Sequence, residues 1–294
     1  MLFLATKHHS QIIQKYNMPE LPEVELVTKS LNKLVSKRTI LISELFREKL
    51  IPHHSKQEFV ETIKNVAINF VHRRGKNILF DLNNSKTLLV HLRMSGRFML
   101  LPIERENPKH THAIFYLNNE TRLVFQDQRH FGFMRILETS KLNSSKELAK
   151  LAPEPFSEDF DEKYFVSMLN SSKNNIKSVL LNQSKVCGLG NIYASEALFI
   201  SKINPEIEAN KLNKKQSKLL YQAIKFVLNE SIEQGSTMNV DPENIDGSYF
   251  DGSYENRWRV YDQENKECVN CKNLIIRINQ NGRSTFYCTK CQKI

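Results

Sequence analysis

The stretch PELPE, residues 19–23, sets a proline beside two glutamates directly after an internal methionine, Met18. A proline nitrogen at a chain terminus is a free secondary amine that titrates near pH 8 and is partly unprotonated at neutral pH. Inside a chain, amide resonance ties up the same lone pair. Translation from Met18 followed by loss of that methionine exposes the amine of Pro19, and translation from Met1 does not. A free Pro19 attacking a sugar carbon forms an iminium, whose positive charge eases abstraction of a neighbouring proton. Glu20, with Glu23 close by, can shuttle protons on the sugar ring. Taken alone, the same string also describes a helix start whose acids complement the helix dipole.

Further constellations follow along the chain. RRGKNILF, residues 73–80, sets Lys76 just before a strand, where the plain alternative is a solvated turn. HLRMSG (91–96) and FQDQRHFG (125–132) combine basic residues, a methionine and an aromatic at strand ends. Met94, Arg129 and Phe131 are the residue types that fill the gap left by an extruded base, although without context they read as core and rim. VCGLGNIYASE, 186–196, places Gly188, Gly190 and Asn191 just before a helix. Exposed backbone N–H groups there suit a phosphate, and no second half of a dinucleotide-binding unit surrounds them.

Four of the five cysteines form two CxxC pairs, Cys268 with Cys271 and Cys288 with Cys291. Each pair offers two thiolates to one tetrahedral zinc, and the residues between can form a hairpin. A reducing cytosol disfavours disulfides, and a redox CxxC needs one pair only. NGRSTFYCTKCQK, 281–293, puts Arg283 on that hairpin, in position to probe a groove. Cys187 reads as a small buried side chain.

The elements that must hold these residues are legible in outline. Val24, Val27, Leu31 and Leu34 recur at helical spacing and predict a helix from about 23 to 35. From there to about residue 137 the apolar runs are short and rich in branched or aromatic residues, with Asn-Asn turns at 83–84 and 118–119, which predicts an antiparallel β domain, a sandwich or a barrel. LAPEPFSED, 151–159, breaks this pattern, and helical periodicity follows from YFVSML to a long stripe of Leu220, Ala223, Ile224, Val227 and Leu228. The expected division is an extension at 1–17, a β domain at 18–150, a linker at 151–160, a helical domain at 161–240, a mobile loop at 241–260 and a zinc module at 261–294.

A chain of 294 residues accommodates at least two domains and a small appendage. Lys and Arg outnumber Asp and Glu by 42 to 32, and a pI near 9.3 favours an anionic partner, nucleic acid ahead of membrane. No stretch approaches the roughly 18 apolar residues of a spanning helix. Residues 1–17 make a poor signal peptide and a weak transit peptide, so a cytoplasmic protein is expected.

In order, PELPEVE, RRGK, HLRMSG, DQRHFG, GLGNIYASE and the CxxC pairs resemble the bacterial formamidopyrimidine-DNA glycosylase family from Met18 to the end of the chain. Each motif is short, and six in the right order are specific. The resemblance implies an α+β fold: an N-terminal antiparallel β-sandwich with flanking helices, a helix-two-turn-helix domain, and a C-terminal zinc-finger β-hairpin, with DNA in the cleft between the halves. It implies a base-excision-repair glycosylase and abasic-site lyase acting on oxidised purines such as 8-oxoguanine and formamidopyrimidines. Its partner is double-stranded DNA carrying those lesions or abasic sites, its cofactor one structural zinc, its state a monomer associated with the nucleoid. Pro19 corresponds to the Schiff-base nucleophile, Glu20 to the proton donor, Lys76 to the proton donor of β-elimination and Arg283 to the group associated with δ-elimination. Met94, Arg129 and Phe131 correspond to the gap fillers. His91, His110, Arg129 and Asn191 correspond to DNA contacts, largely through phosphates, and Lys177 to a group near the base pocket or backbone.

The chain departs from the family pattern at three places. Ser172 stands where the family often has a DNA-contacting lysine, leaving Lys173 as the neighbouring cation; WRVYDQENKEC lacks the glycine that usually follows the tyrosine; and residues 1–17 precede Met18. A mis-called start is the expected explanation of that leader. Two other readings stand beside this one. If the extension is retained and Pro19 blocked, the chain is a damaged-DNA-binding protein without catalysis. An endonuclease VIII-like glycosylase for oxidised pyrimidines would carry EGPE rather than ELPE after the proline.

Overall fold

The computed structural model describes residues 18–247 and 252–293, so the expectations placed on 1–17 and on 248–251 lie outside the described residues. The first helix, α1, runs Leu21–Val35, with Pro22 in its first turn, where a missing N–H removes no hydrogen bond. It therefore starts two residues before the expected position. The Glu23 carboxylate accepts the Glu20 N–H at 2.9 Å and closes this end. The face Val24, Val27, Leu31 and Val35 is fully buried.

Strands follow as β1 (Thr39–Leu45), β2 (Val66–Arg74), β3 (Asn77–Leu82), β4 (Lys86–His91), β5 (Gly96–Pro102), β6 (Thr111–Leu117), β7 (Thr121–Asp127) and β8 (Phe133–Glu138). All pair antiparallel, in the order β5-β7-β6-β1-β2-β3-β4-β8. Only Thr39 with Ala67 and Ile40 with Val66 join β1 to β2. The sheet thus folds at that corner into two four-stranded layers. Phe80 of one layer meets Phe98 of the other with ring centroids 5.5 Å apart, and Phe98 meets Phe125 at 5.2 Å. The expected sandwich is what forms. After both Asn-Asn pairs the chain turns through a positive φ, at Ser85 (60°) and Glu120 (59°).

Sequence periodicity passed over one helix, α2 (Lys56–Ile63), which packs Phe59 and Ile63 inward. Its signal was present: Ser55 caps it by accepting the Glu58 N–H at 3.1 Å. The second half holds α3 (Glu162–Asn170), α4 (Ile176–Leu181), α5 (Asn191–Ile200) and α6 (Lys214–Glu233), then the hairpin of β9 (Ile276–Gln280) and β10 (Arg283–Tyr287). Asn281 (φ 51°) and Gly282 (φ 75°) turn that hairpin, the left-handed pair that Asn-Gly adopts most readily.

Two large cores result. One fills the sandwich and takes in the inner face of α1. The other joins the helices to the cysteine module, including Cys268, Cys288, Ile275 and Phe286, and receives Leu21 from the start of α1. The α1 helix therefore pins the two halves together. Of the segment expected to be mobile, the described flanks are tied down: Leu100 N–H donates to Pro242 O, Ser30 to Asp241, and Tyr254 N–H to Ser236 O. Among the described residues, no helix is long and apolar enough to cross a membrane.

Candidate active site and nucleic-acid interface

A cleft of about 760 Å³ opens between the halves, and Met18, Glu20, Lys76, His91, Asn191 and Arg283 all line it. Residues from both ends of the sequence, a strand start, a helix start and the zinc hairpin converge there. Pro19 is buried, and its chain neighbours Met18 and Glu20 both line the cleft. The lining also includes His53, Arg93, Phe133, Lys146 and Tyr261; Arg93 stands in HLRMSG and Tyr261 in WRVYDQENKEC, yet sequence reasoning selected neither as a site residue, and His53, Phe133 and Lys146 stand in no motif that marks them.

Glu20 is 3 % exposed. Burial raises its pKa to about 7, with the Lys76 charge opposing and Glu23 reinforcing, so its carboxyl holds a proton near neutrality. Its Oε1 accepts the Ile192 N–H at 2.9 Å, at the first turn of α5. The glycines before α5 serve this contact. A Cβ on Gly190 would lie 2.3 Å from the Glu20 carboxyl carbon, and one on Gly188 (φ 76°) would lie 2.7 Å from Leu21. The glycine-rich start of α5, expected to suit a phosphate, also receives the start of α1, and its Ile192 N–H is spent on Glu20. Glu23 is structural, because its Oε1 accepts from Tyr193 Oη (2.6 Å), Thr237 Oγ1 (2.7 Å) and Thr237 N–H (3.1 Å).

Lys76 stands on the turn between β2 and β3. Arg73 pairs with Glu25 and Glu154, Arg74 pairs with Glu154, and the Gly75 N–H donates to Glu154 Oε1 at 2.6 Å. Burial would raise the Glu154 pKa, but Arg73, the Gly75 N–H and Arg74 more than offset it and hold the carboxylate below its usual range. A residue of the expected linker thus fixes the turn that presents Lys76. Burial pushes the Lys76 ammonium below its usual range; Glu20 opposes the shift and Arg283 adds to it.

His91 is held neutral. Burial, with Arg93 and Lys76, pushes its pKa down to about 3, and its Nδ1 accepts the Arg93 N–H at 3.0 Å. Its ring stacks on Phe133 with centroids 5.7 Å apart, which leaves Nε2–H as the donor it can offer. Arg283 is exposed at the start of β10. Behind it, Lys177 Nζ donates to Ser284 O (2.9 Å) and Thr285 Oγ1 (2.7 Å), and Asn191 Nδ2 donates to the same Ser284 O (3.0 Å). Lys177 is 1 % exposed. Burial pushes its pKa down to about 7, with Glu20 opposing and Arg283 reinforcing. The ammonium expected near the base or backbone is therefore directed at the hairpin, and its geometry supports holding Arg283 rather than touching DNA.

Met94 is half-buried, and the Arg129 guanidinium lies 5.3 Å from the centre of the Phe131 ring, which is 55 % exposed. All three stand on connections between strands, Met94 between β4 and β5 and the other two between β7 and β8. His110 (φ 63°) is exposed beside His130, ring centroids 5.9 Å apart, and Lys173 is exposed on the α3–α4 connection; neither lines the cleft.

The sulfurs of Cys268, Cys271, Cys288 and Cys291 all lie within 4.8 Å of one another, with Cys268–Cys291 at 3.8 Å and Cys271–Cys288 at 3.4 Å. A tetrahedron with Zn–S bonds of about 2.3 Å needs sulfurs about 3.8 Å apart. The donor set fits one structural zinc, and among the described residues it is the one such cluster. The cysteines lie outside the cleft lining, so the zinc holds the hairpin that carries Arg283.

Comparison with known proteins agrees with this geometry. The formamidopyrimidine-DNA glycosylase N-terminal domain matches residues 18–134, the H2TH domain of the same family matches 151–241, and the zinc finger found in FPG and IleRS matches 265–294. The formamidopyrimidine-DNA glycosylase of Rickettsia bellii is 40% identical over 94% of this chain and 100% of its own length, and that of Listeria monocytogenes 38% over the same shares. The Lactococcus lactis Fpg, solved with DNA containing an abasic site, an oxidised pyrimidine or Fapy-dG, superposes with a TM-score of 0.87 at 32% identity, over 94% of this chain and all of that one. With its sandwich, its helices and its zinc hairpin arranged around one cleft, this chain belongs to the formamidopyrimidine-DNA glycosylase family.

Proposed function

We propose that the protein removes oxidised purines, 8-oxoguanine and formamidopyrimidines, from duplex DNA and then cleaves the strand at the resulting abasic site. The observation that carries this reading is the convergence on one cleft of a carboxyl protonated near neutrality (Glu20), a half-buried ammonium (Lys76) and the hairpin cation Arg283, next to Pro19. In the proposed sequence of events the amine of Pro19 attacks C1′ of the extruded nucleotide, Glu20 supplies a proton, and the base leaves. The imine then acidifies the C2′ proton, so β-elimination and δ-elimination, assisted by Lys76 and Arg283, open the strand. His91, Arg129 and Asn191 contact DNA chiefly at phosphates, and Met94, Arg129 and Phe131 occupy the vacated stack. The zinc supplies structure only.

The chemistry requires a free amine on Pro19. Family similarity starts at Met18, which supports a working chain that begins at Pro19. Duplexes containing 8-oxoguanine, incubated with chains starting at Met1 and at Pro19, test this directly. Excision by the Pro19 chain alone supports the nucleophile, and equal activity of an untrimmed Met1 chain contradicts it. The ELPE sequence and the Met94, Arg129, Phe131 set favour purines over pyrimidines; a clear preference for thymine glycol would overturn that choice. The protein acts on the chromosome in the cytoplasm as a monomer.

A further inference from the structure

The three gap-filling side chains stand on two separate turns, and the structure joins those turns beneath the surface. The first, residues 92–96, is closed by the Gly96 N–H donating to Leu92 O at 2.9 Å and carries Met94. The second, 128–132, leaves the end of β7 and carries Arg129 and Phe131. Between them lies Asp127, 1 % exposed. Its Oδ1 accepts the hydroxyl of Ser95 and the Arg129 N–H, the latter at 3.2 Å, while Oδ2 accepts the Gly132 N–H at 2.7 Å. Ser95 Oγ in turn accepts the Arg129 N–H at 2.9 Å. Packing repeats the tie: a Cβ on Gly96 or on Gly132 would come within 2.9 Å of the same Phe125 ring carbon, so both turns seat on one ring.

We infer that Ser95 and Asp127 are positioning residues that fuse the Met94 turn and the Arg129–Phe131 turn into one rigid probe, and that this rigidity serves extrusion of a stacked base. The inference rests on the glycosylase reading above. Extrusion costs unstacking and unpairing free energy, recovered only while side chains hold the gap from which the base has left. If the turns moved independently, a returning base would displace them one at a time. A pre-formed abasic site has no base to extrude, so cleavage there does not need the tie.

Ser95→Ala removes the hydroxyl that spans the turns and leaves each turn its own backbone bonds. The Pro19-started protein and this variant are compared in single turnover on an 8-oxoguanine duplex and on a duplex with a pre-formed abasic site. A 2-aminopurine beside the lesion reports unstacking. Ser95→Ala is expected to slow base excision by about tenfold to a hundredfold, on the scale of small misplacements in a catalytic assembly, with the 2-aminopurine rise slowed in step and abasic-site cleavage unchanged. Asp127→Asn, the same shape with one acceptor replaced by a donor, is expected to give the same selective loss and serves if the first variant does not fold. Parallel loss on both duplexes, or excision at the parent rate, overturns the inference. Failure of the glycosylase reading looks different: the parent protein is inactive on both duplexes, and the inference falls with it.

Discussion

At the scale of single residues, the account turns on Glu20, whose type was legible in PELPE and whose environment was not. What covers it, the Gly190 backbone and the Ile192 N–H, comes from far along the chain. Burial raises its pKa from 4.5 to about 7. Folded Glu20 therefore binds a proton more tightly than unfolded Glu20, and stability falls as pH rises through that window. Glu20→Gln is expected to raise thermal stability at pH 8, by at most about 3 kcal/mol, and to leave it unchanged near pH 4, as melting curves at the two pH values will show. The same substitution is expected to abolish base release while sparing cleavage of a pre-formed abasic site, which has no leaving base to protonate. Loss of Glu20's proton above about pH 7 should likewise slow base excision more than abasic-site cleavage. Lys76→Ala is expected to cripple base removal or elimination with the circular dichroism spectrum intact.

At the scale of elements, the CxxC pairs announced the hairpin, and short runs of branched and aromatic residues between Asn-Asn turns announced the strands, because those signals are local. The role of the glycines before α5 was not local: nothing in GLGN says that a carboxylate will press against it. Gly190 has an extended backbone, φ −135° and ψ −157°, that any residue adopts, so the penalty of Gly190→Ala is steric and falls on Glu20. We expect that variant to fold and to lose base excision preferentially over abasic-site cleavage; retention of full excision would show that the carboxyl need not sit where it does. Glu154 reads as linker punctuation in LAPEP, yet it anchors Arg73, Arg74 and the Gly75 N–H. Removing one partner from a largely buried ionic cluster leaves the others uncompensated, so Glu154→Gln should cost about 3 kcal/mol in denaturant unfolding at neutral pH. The difference should shrink as pH falls through the low carboxylate range, where Glu154 itself becomes protonated and its ionic contribution is lost.

For the whole molecule, the sequence divides into a β half, a helical half and a zinc module, whereas packing makes two cores, because Cys268 and Cys288 are buried in the same cluster as the helices. Stripping zinc with a chelator, or Cys288→Ser, should therefore abolish DNA affinity and also lower the helical dichroism signal, while the sandwich persists. Loss of affinity with full helical signal would show that the module folds apart from the helices. A formal charge of +10 further implies that affinity for undamaged duplex falls steeply with salt. The central claim is that Pro19 is the nucleophile, and trapping it tests the claim most directly. Reduction with borohydride during reaction on abasic DNA, followed by digestion and peptide mass measurement, locates the crosslink. The expected result is DNA attached to a peptide whose first residue is Pro19. A crosslink on a lysine, or one on a chain still carrying residues 1–18, would contradict it.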